Sequence, residues 1–424
     1  MRRIFLLILA LIVAGCTAAP TVEVTPLPEA TATSTTAPPP LLPSAEPPSD
    51  EPVTLKIWLP PQFDPANDSP EGAILQARLD EFTQRRPGVK IETRVKAVEG
   101  PGGMIDTLST AGAAAPLAIP DLVALPQFAL ENAAIKGLLH PYDGLTGTMD
   151  DPDWYDFARQ LSHVQNNTFG VPFVGDALVM VYRPSVISNP PTNWTAALEI
   201  TEPLAFPASD PNGLVTLSFY LSTGATILDN ENRPVLDTIQ FTEVLTFYHQ
   251  AALASLMPYW LTQFETDGQA WSAYREGQGQ MVISWVSRYL QDPSEDSAVA
   301  SIPTFDSIPS TLATGWAWAL TSPEPGQQFL SAELAEFLTT GDFLAEWSRA
   351  AGYLPPRPSA LADWPDDLMP VVLGQIGSSA RLLPSLEVLT PLGPVLQNAT
   401  VDVLKEEADP VIAAAAAAEK LINP

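Results

Sequence analysis

Cysteine, histidine and positive charge are all scarce in this chain. Its 424 residues include one cysteine and three histidines, which excludes an intrachain disulfide and leaves almost no ligands for a zinc site. Lysine and arginine total 20 against 49 acidic residues, a formal net charge of -29. Nucleic-acid backbones and anionic lipid headgroups both require clustered cations. The composition therefore predicts no nucleic-acid partner, no electrostatic membrane adsorption, no metal and no cofactor.

Sequence signatures of common enzyme chemistries are also absent. The chain has no G-x-x-x-x-G-K-[ST], no G-x-G-x-x-G after a strand, no H-E-x-x-H and no G-x-S-x-G. Acidic clusters that offer an acid/base pair occur at Asp150-Asp151-Asp153, Asp366-Asp367 and Glu406-Glu407. With 49 acidic residues, such clusters are expected on the solvated surface. The histidines are His140, predicted in a loop, and His163 and His249, predicted on helices. We therefore predict that the protein is not an enzyme.

The N-terminal hydrophobic run is too short to span a membrane. Ile4 to Gly15 holds 12 residues, whereas a spanning helix needs about 20. Arg2 and Arg3 precede the run, and residues 1–16 read as a secretory signal peptide. The ending V-A-G-C resembles the lipobox of bacterial lipoproteins, which implies cleavage before Cys16 and acylation of that cysteine. The alternatives are an ordinary signal peptide with an incidental cysteine and an uncleaved anchor.

Residues 17–52 have the composition of a disordered tether. They contain ten prolines and seven threonines, and neither lysine nor arginine, so they cannot bury enough apolar surface to fold. A polyproline-like chain of this length reaches about 110 Å. Five acidic and two basic residues precede residue 53, so the remaining body, residues 53–424, carries a net charge of -26.

The first part of the body alternates predicted strands with predicted helices. The predicted elements are a strand at Val53–Leu59, a helix opened by Ser69-Pro70-Glu71, a strand at Val89–Val95, a helix from about Met104 and a strand at Asp121–Leu125. Strands that alternate with helices predict parallel βαβ units with right-handed crossovers.

The later body mixes longer helices with isolated strands. The predicted elements are a helix from Asp151-Pro152 toward His163, a strand region at Gly170–Tyr182, a helix at Phe241–Ala254, strands at Met281–Trp285 and Gly315–Leu320, and helices at Ser331–Leu338 and Val411–Ile422. The fold class that follows is α/β.

Ten short segments in chain order resemble a known family. They are V-T-L-K-I-W, L-D-E-F-T-Q-R-R-P-G-V-K-I-E, I-P-D-L-V-A-L, A-A-I-K-G-L-L-H-P-Y-D, F-G-V-P-F with V-M-V-Y-R-P, P-P-T-N-W, Y-R-E-G-Q-G-Q-M-V-I-S-W, T-G-W-A-W-A-L, A-E-F-L-T-T and G-Y-L-P-P-R. They are spread along nearly all of residues 53–424. The body resembles the extracellular sugar-binding proteins of ATP-binding cassette importers, the family similar to maltodextrin-binding protein.

The resemblance implies a two-lobed periplasmic-binding-protein-like fold with a hinge and an interlobe cleft. The implied boundaries are lobe one at 53–172 and 315–352, lobe two at 184–300 and 357–424, and hinge crossings at 173–183, 301–314 and 353–356. This layout comes from the family and not from sequence periodicity.

Carbohydrate binding needs aromatic faces against sugar rings and hydrogen bonds to hydroxyls. The resemblance places Trp285, Trp316 and the crossing residues at the cleft, and the loops after parallel strands are expected to face the ligand. The predicted ligand-binding residues are Gln62, Phe63, Asp64, Gln127, Phe128, Phe173, Asp176, Trp285, Arg288 and Trp316. Each has an alternative as a core residue or a solvated loop side chain. Trp58 is predicted in the core or at the cleft floor, and Trp318 is predicted in the core.

One segment departs from the maltodextrin-binding pattern. Leu382–Val395 has neither tryptophan nor tyrosine, where maltodextrin binders have aromatic residues. This difference weighs against long glucans as ligands. Phe219 and Tyr220 are candidates for compensating aromatics, and a buried helix face explains them equally well.

The function implied by the resemblance is capture of a carbohydrate and its delivery to a permease. The protein is expected to be a monomer, held at the outer face of the cytoplasmic membrane or in the periplasm by its lipid anchor alone. Three alternatives stay open: a binder of a cationic, polyamine-like solute, a lipoprotein glycosidase, and a structural envelope lipoprotein. The negative charge of the body motivates the first.

Overall fold

A computed structural model describes residues 52–114, 119–365 and 369–422. The predicted signal peptide with Cys16, and the predicted tether apart from Pro52, lie outside the described residues, as do Asp366 and Asp367.

Nine of the strands form one sheet. The strands are β1 (Val53–Leu59), β2 (Val89–Val95), β3 (Leu122–Pro126), β4 (His163–Val164), β5 (Asn167–Thr168), β6 (Val171–Tyr182), β7 (Leu204–Ala205), β8 (Met281–Trp285), β9 (Ala298–Ala300), β10 (Thr311–Leu320) and β11 (Ala380–Leu382). The sheet order is β2-β1-β3-β10-β6-β8-β7, with β11 beside β10 and β9 beside β6; β4 and β5 pair separately.

Helices cover the sheet and form most of the later chain. They are α1 (Pro70–Arg85), α2 (Met104–Ala114), α3 (Gln127–Ile135), α4 (Asp156–Ser162), α5 (Trp194–Ala197), α6 (Leu214–Ser222), α7 (Thr238–Leu253), α8 (Asp267–Arg275), α9 (Val286–Gln291), α10 (Pro325–Phe337), α11 (Gly341–Ala351), α12 (Pro358–Ala362), α13 (Met369–Ser379), α14 (Leu386–Leu404) and α15 (Pro410–Ile422). The predicted α/β class is confirmed. No helix in the described part of the chain is both long and apolar enough to cross a membrane.

The first βαβ units form as their local sequence predicts. The Ser69 hydroxyl accepts a hydrogen bond from the Gly72 amide at 3.2 Å, and Pro70 occupies the first turn of α1. A serine cap followed by proline is a strong helix start because both residues suit the unpaired amides there. β1 pairs in parallel with both β2 and β3, which confirms the predicted parallel arrangement.

Strand β6 connects two parts of the sheet. Val171–Ala177 pairs with β10, and Leu178–Tyr182 then pairs with β8. Eleven residues of this strand are apolar or glycine, and most are buried, as expected for a strand covered on both faces. Asp176 is the exception, and it lies where the pairing partner changes.

Close approach of β6 to β10 depends on glycine at position 315. A Cβ built on Gly315 would lie 2.3 Å from the Val174 carbonyl oxygen, well inside van der Waals contact. Glycine at position 315 therefore avoids a steric clash between the two central strands.

Large aromatic residues fill the core. Trp58 and Trp318 are both 2% exposed, which confirms the predicted core position of Trp318 and, of the two positions predicted for Trp58, agrees with the core. Phe219 and Tyr220 lie on α6 at 1% and 0% exposed, so they belong to a buried helix face. They are not available to compensate for missing aromatics in a cleft.

Some predicted boundaries are wrong. The helix expected from Asp151-Pro152 begins at Asp156, and His163 follows its last residue instead of lying on it. The reason is tertiary: Asp151 and Asp153 bind Arg357, some 200 residues away in the chain. β10 begins earlier than expected, at Thr311, and α10 begins earlier, at Pro325.

Candidate solute-binding site

A cavity of about 330 Å³ lies at the end of β8. Its apolar walls come from Leu178, Pro207, Pro211, Leu214, Val215, Ile283 and Trp285, and its acidic side chains are Asp210, Glu265 and Asp267. A concave apolar surface with a few convergent polar groups is the usual form of a small-molecule site.

Trp285 reaches this cavity because β8 ends there. It is the last residue of β8 and the N-cap of α9, with an extended backbone. The preceding residue, Ser284, points to the opposite face, is fully buried, and donates a hydrogen bond to Asp267 at 2.6 Å. Alternation along the strand thus turns the indole of Trp285 to the cavity.

Asp267 is held by the start of α8. Thr266 caps that helix in a reciprocal capping box with Gln269, which places the following carboxylate at the helix N-terminus, where negative charge is favoured. The Arg288 guanidinium binds Asp267 at 3.0 Å, and the Arg288 side chain is 50% exposed.

Asp210 completes the acidic wall. Its carboxylate accepts hydrogen bonds from the amides of Asn212 and Leu214, both at 3.0 Å. Burial raises the pKa of Asp210, and the nearby Asp267 carboxylate adds to that effect. The charged groups that line the cavity are all acidic, so it favours hydroxyl donors or a cation.

Asp176 lies beside this wall, at the point where β6 changes partner. Its carboxylate accepts hydrogen bonds from the Ser287 hydroxyl at 2.6 Å, the Ser287 amide at 3.1 Å and the Ala177 amide at 3.0 Å. Burial raises the pKa of Asp176 to about 7, with a further contribution from Asp267; the bonds from Ser287 act in the opposite direction. Asp176 therefore exchanges its proton near neutral pH.

This shift predicts a pH-dependent stability. The pKa of Asp176 rises from 3.8 to about 7 on folding, so between these values the folded protein holds a proton that the unfolded chain has lost. The contribution of Asp176 to the free energy of unfolding therefore falls as pH rises through this window. The free energy of unfolding, measured in urea, should fall less between about pH 5 and pH 8 for Asp176→Asn than for the wild type. An identical decrease in both proteins would contradict the assignment.

Three of the predicted site residues meet in an aromatic group. The ring centroids of Phe63 and Phe173 are 5.2 Å apart, and those of Phe63 and Trp316 are 5.1 Å apart. Phe63 and Phe173 are each 2% exposed, while Trp316 is half-buried. In this conformation only Trp316 of the three has ring surface left for a solute.

Four other predicted site residues, Gln62, Asp64, Gln127 and Phe128, do not line the Trp285 cavity. Gln127 is 1% exposed, and its amide donates to the Leu383 carbonyl at 2.7 Å and to Glu131 at 3.0 Å. These bonds leave Gln127 without a free donor for a ligand. Asp64 accepts a hydrogen bond from its neighbour Ala66 at 2.9 Å. Gln62 is exposed and Phe128 is half-buried.

Sequence reasoning missed Asp210, Asp267 and Tyr353. Tyr353 packs edge-on against Phe63 at 5.9 Å. Local signals existed for two of the three, since D-P-N-G is a strong turn sequence and Thr266 with Gln269 is a capping box. Neither signal shows that the two carboxylates converge on Trp285.

A second cavity, of about 860 Å³, has a different chemistry. It lies among α4, residues 225–228, and the adjoining ends of α13 and α14, and its lining includes no aromatic side chain. Without an aromatic face it offers nothing for a sugar ring to stack on. Among the described residues, no cluster of three or more histidine, cysteine or acidic side chains is placed to hold a metal ion.

A strand shared between two parts of one sheet, next to an acidic cavity with an aromatic wall, is typical of a protein that binds a small solute. The family model described as bacterial extracellular solute-binding protein matches residues 66–368. The chain belongs to this family. Membership places the protein outside the cytoplasmic membrane, in the periplasm or cell envelope.

Individual relatives are distant in sequence. The maltotriose-binding protein of Pyrococcus abyssi is 22% identical over 194 residues, which are 43% of this chain and 42% of that protein. The match thus spans less than half of that relative's length.

Solved structures match over more of the chain. The sugar-binding protein MalE from Xanthomonas citri matches 88% of this chain and 98% of its own, at 18% identity and a TM-score of 0.70. The cyclic alpha-maltosyl-1,6-maltose binding protein from Arthrobacter globiformis matches 87% and 98%, at 16% identity and a TM-score of 0.69. At such identities the likeness is one of fold, and it agrees with the expected two-lobed architecture.

Proposed function

We propose that the protein captures a carbohydrate outside the cytoplasmic membrane and delivers it to the permease of an ATP-binding cassette importer. The observation that carries the proposal is the Trp285 cavity, in which an indole face lies next to Asp210 and Asp267. The apolar face of a sugar ring stacks on such an indole, and its hydroxyls donate to such carboxylates. Relatives whose names include maltotriose or cyclic maltosyl-maltose support a carbohydrate.

Closure on the solute is the second part of the proposal. The residues that line the cavity all lie between positions 178 and 285. Trp316 lies on β10 and is half-buried, so part of its ring is free to contact a solute. A solute that touches both would favour a closed form over an open one. We propose the lobe and hinge boundaries predicted from the family, with β6 and β10 among the crossing segments. Attachment through an acylated Cys16, a monomeric state and binding without catalysis belong to the same proposal.

A thermal-shift panel tests the carbohydrate. Maltose, maltotriose, glucose and ribitol are titrated against the wild type, Trp285→Ala and Tyr259→Ala. A solute that binds only the folded state at 100 times its Kd stabilises it by about 2.7 kcal/mol. We expect a sugar to raise the Tm of the wild type and of Tyr259→Ala, whose side chain is 66% exposed and lies outside the cavity. Trp285→Ala should lose the shift.

The acidic lining favours one further candidate, a cationic solute such as a polyamine. Spermidine is therefore included in the panel at low and high salt, because attraction between exposed charges weakens as ionic strength rises. A salt-sensitive spermidine shift with no response to any sugar would replace carbohydrate by a polyamine. A sugar response that survives Trp285→Ala would move the site away from this cavity.

A further inference from the structure

Helix α9 begins at the residue that lines the cavity. Trp285 is its N-cap, so the backbone of Trp285 and the first turn of α9 are one continuous unit. Any displacement of this short helix therefore displaces the indole as well.

The N-terminal end of α9 is bound to β6. Both the amide and the hydroxyl of Ser287 donate to the Asp176 carboxylate, at 3.1 and 2.6 Å. Asp176 lies in the strand that pairs with β10 before it and with β8 after it. The contact thus links α9 to a segment shared by both parts of the sheet.

The C-terminal end of α9 is bound to a different segment, residues 351–354. The Gln291 side-chain amide donates to the Ala351 carbonyl at 3.2 Å. Gly352 has a φ of +71°, and a Cβ on it would lie 2.5 Å from Gln291 Cγ and 3.2 Å from the Gln291 amide nitrogen. Glycine permits both this backbone conformation and this close approach.

The two anchoring segments are themselves adjacent. The Gly175 amide donates to the Leu354 carbonyl at 2.8 Å, and the Leu354 amide donates back at 3.1 Å. Helix α9 is therefore bound to β6 at its start and to residues 351–354 at its end, while Trp285 extends from its start into the cavity.

We propose that α9 couples the solute cavity to the hinge, and that Ser287 and Gln291 are the positioning residues that transmit the coupling. Helix α9 has six residues, so it moves as a rigid unit over this length. Rotation of one part of the sheet about the crossing segments must either break an anchor or shift Trp285. Conversely, a solute that fixes Trp285 restricts the rotation. The solute half of this inference rests on the proposed carbohydrate capture, and the mechanical half rests on the proposed lobe and hinge boundaries.

The scarcity of cysteine makes a direct distance measurement possible. Cys16 is the only cysteine in the sequence, so a full chain with Cys16→Ser, Ala77→Cys and Gln250→Cys accepts spin labels at two chosen positions alone. Both positions are exposed, one on α1 and the other on α7. The distance distribution between the labels is recorded without solute for the parent and for Ser287→Ala/Gln291→Ala.

Loss of both anchors is expected to shift the solute-free distance by several Å or to broaden its distribution. The matched control, Ser378→Ala/Gln278→Ala, changes two exposed residues whose side-chain bonds are local and should leave the distribution unchanged. A distribution identical to that of the parent would overturn the coupling role. Circular dichroism checks folding, and Ser287→Ala alone replaces the double variant if that variant unfolds.

Maltose serves as the probe in a second arm. If maltose narrows the parent distribution, the double variant should bind it about tenfold more weakly, since coupling of this kind is worth roughly 5- to 150-fold. Unchanged maltose affinity alongside an unchanged distance overturns the proposal. If maltose does not bind the parent, carbohydrate capture loses support, and the solute-free distances still decide the role of α9.

Discussion

Phe173→Ala is expected to lower the free energy of unfolding by about 3–5 kcal/mol. The Phe173 ring is 2% exposed and stacks on Trp318 at a centroid distance of 4.5 Å and an interplanar angle of 22°. It also contacts Phe63 and Trp347, at 5.2 and 5.6 Å. Truncation removes the buried ring and leaves a cavity that its rigid aromatic neighbours cannot fill, which adds to the cost of the lost burial.

Urea unfolding followed by fluorescence measures this effect. The control is Phe329→Ala on α10, whose ring is 56% exposed and whose loss should change stability by at most about 0.5 kcal/mol. The comparison separates a role of Phe173 in core packing from a role in direct contact with the solute. Full stability together with loss of solute binding would mean that the Phe173 ring contacts the solute directly and does not serve as a core residue.

Arg357→Ala is the second substitution with a large expected effect, a loss of about 3 kcal/mol. Arg357 is 6% exposed, and its guanidinium lies 3.8 Å from the centroid of the Trp154 ring. It donates to the Thr339 carbonyl at 2.7 Å and to Asp151 at 2.8 Å. Alanine would leave the buried Thr339 carbonyl without its Arg357 partner and would remove the cation from the Trp154 ring.

Lysine at position 357 should recover only part of this loss. It keeps the charge but not the fork of donors that reaches Thr339 and Asp151 together. Arg349→Ala, which changes an exposed arginine of α11, serves as the control and should change stability by at most about 0.5 kcal/mol. Equal stability of all three variants in urea would show that the Arg357 contacts contribute no net stability. The same contacts give Asp151 and Asp153 a structural role.

Local sequence information was sufficient to predict the bounds of β1 and β2 and the start of α1 in the first βαβ units. β1 and β2 have the predicted bounds, and α1 begins at the predicted proline after Ser69. These limits are set by residues that act on their own backbone: prolines that end a strand, a serine that caps a helix, and alternation that marks a half-buried strand. The family resemblance, which was read from short segments in order, is likewise confirmed by the match over residues 66–368.

Where local signals conflict with distant partners, sequence reasoning was less accurate. The D-D-P-D segment before α4 has the composition of a helix start, yet two of its carboxylates bind Arg357 instead. Gln127 follows a parallel strand, where ligands are expected, but its amide binds the Leu383 carbonyl, 256 residues away. These side chains look available when only the neighbouring sequence is considered. In the folded protein they are already hydrogen-bonded to residues far away in the chain.

The sequence by itself determined the class of fold, the order of its early elements, the family, and Trp285 as a candidate wall of the site. Only the tertiary structure decided which acidic residues accompany it. Asp210 and Asp267 are 57 positions apart, and they line one cavity because β7 and β8 pair in the same sheet. Spacing along a chain does not encode such convergence, since it depends on which strands pair, and pairing is set by burial across the whole body.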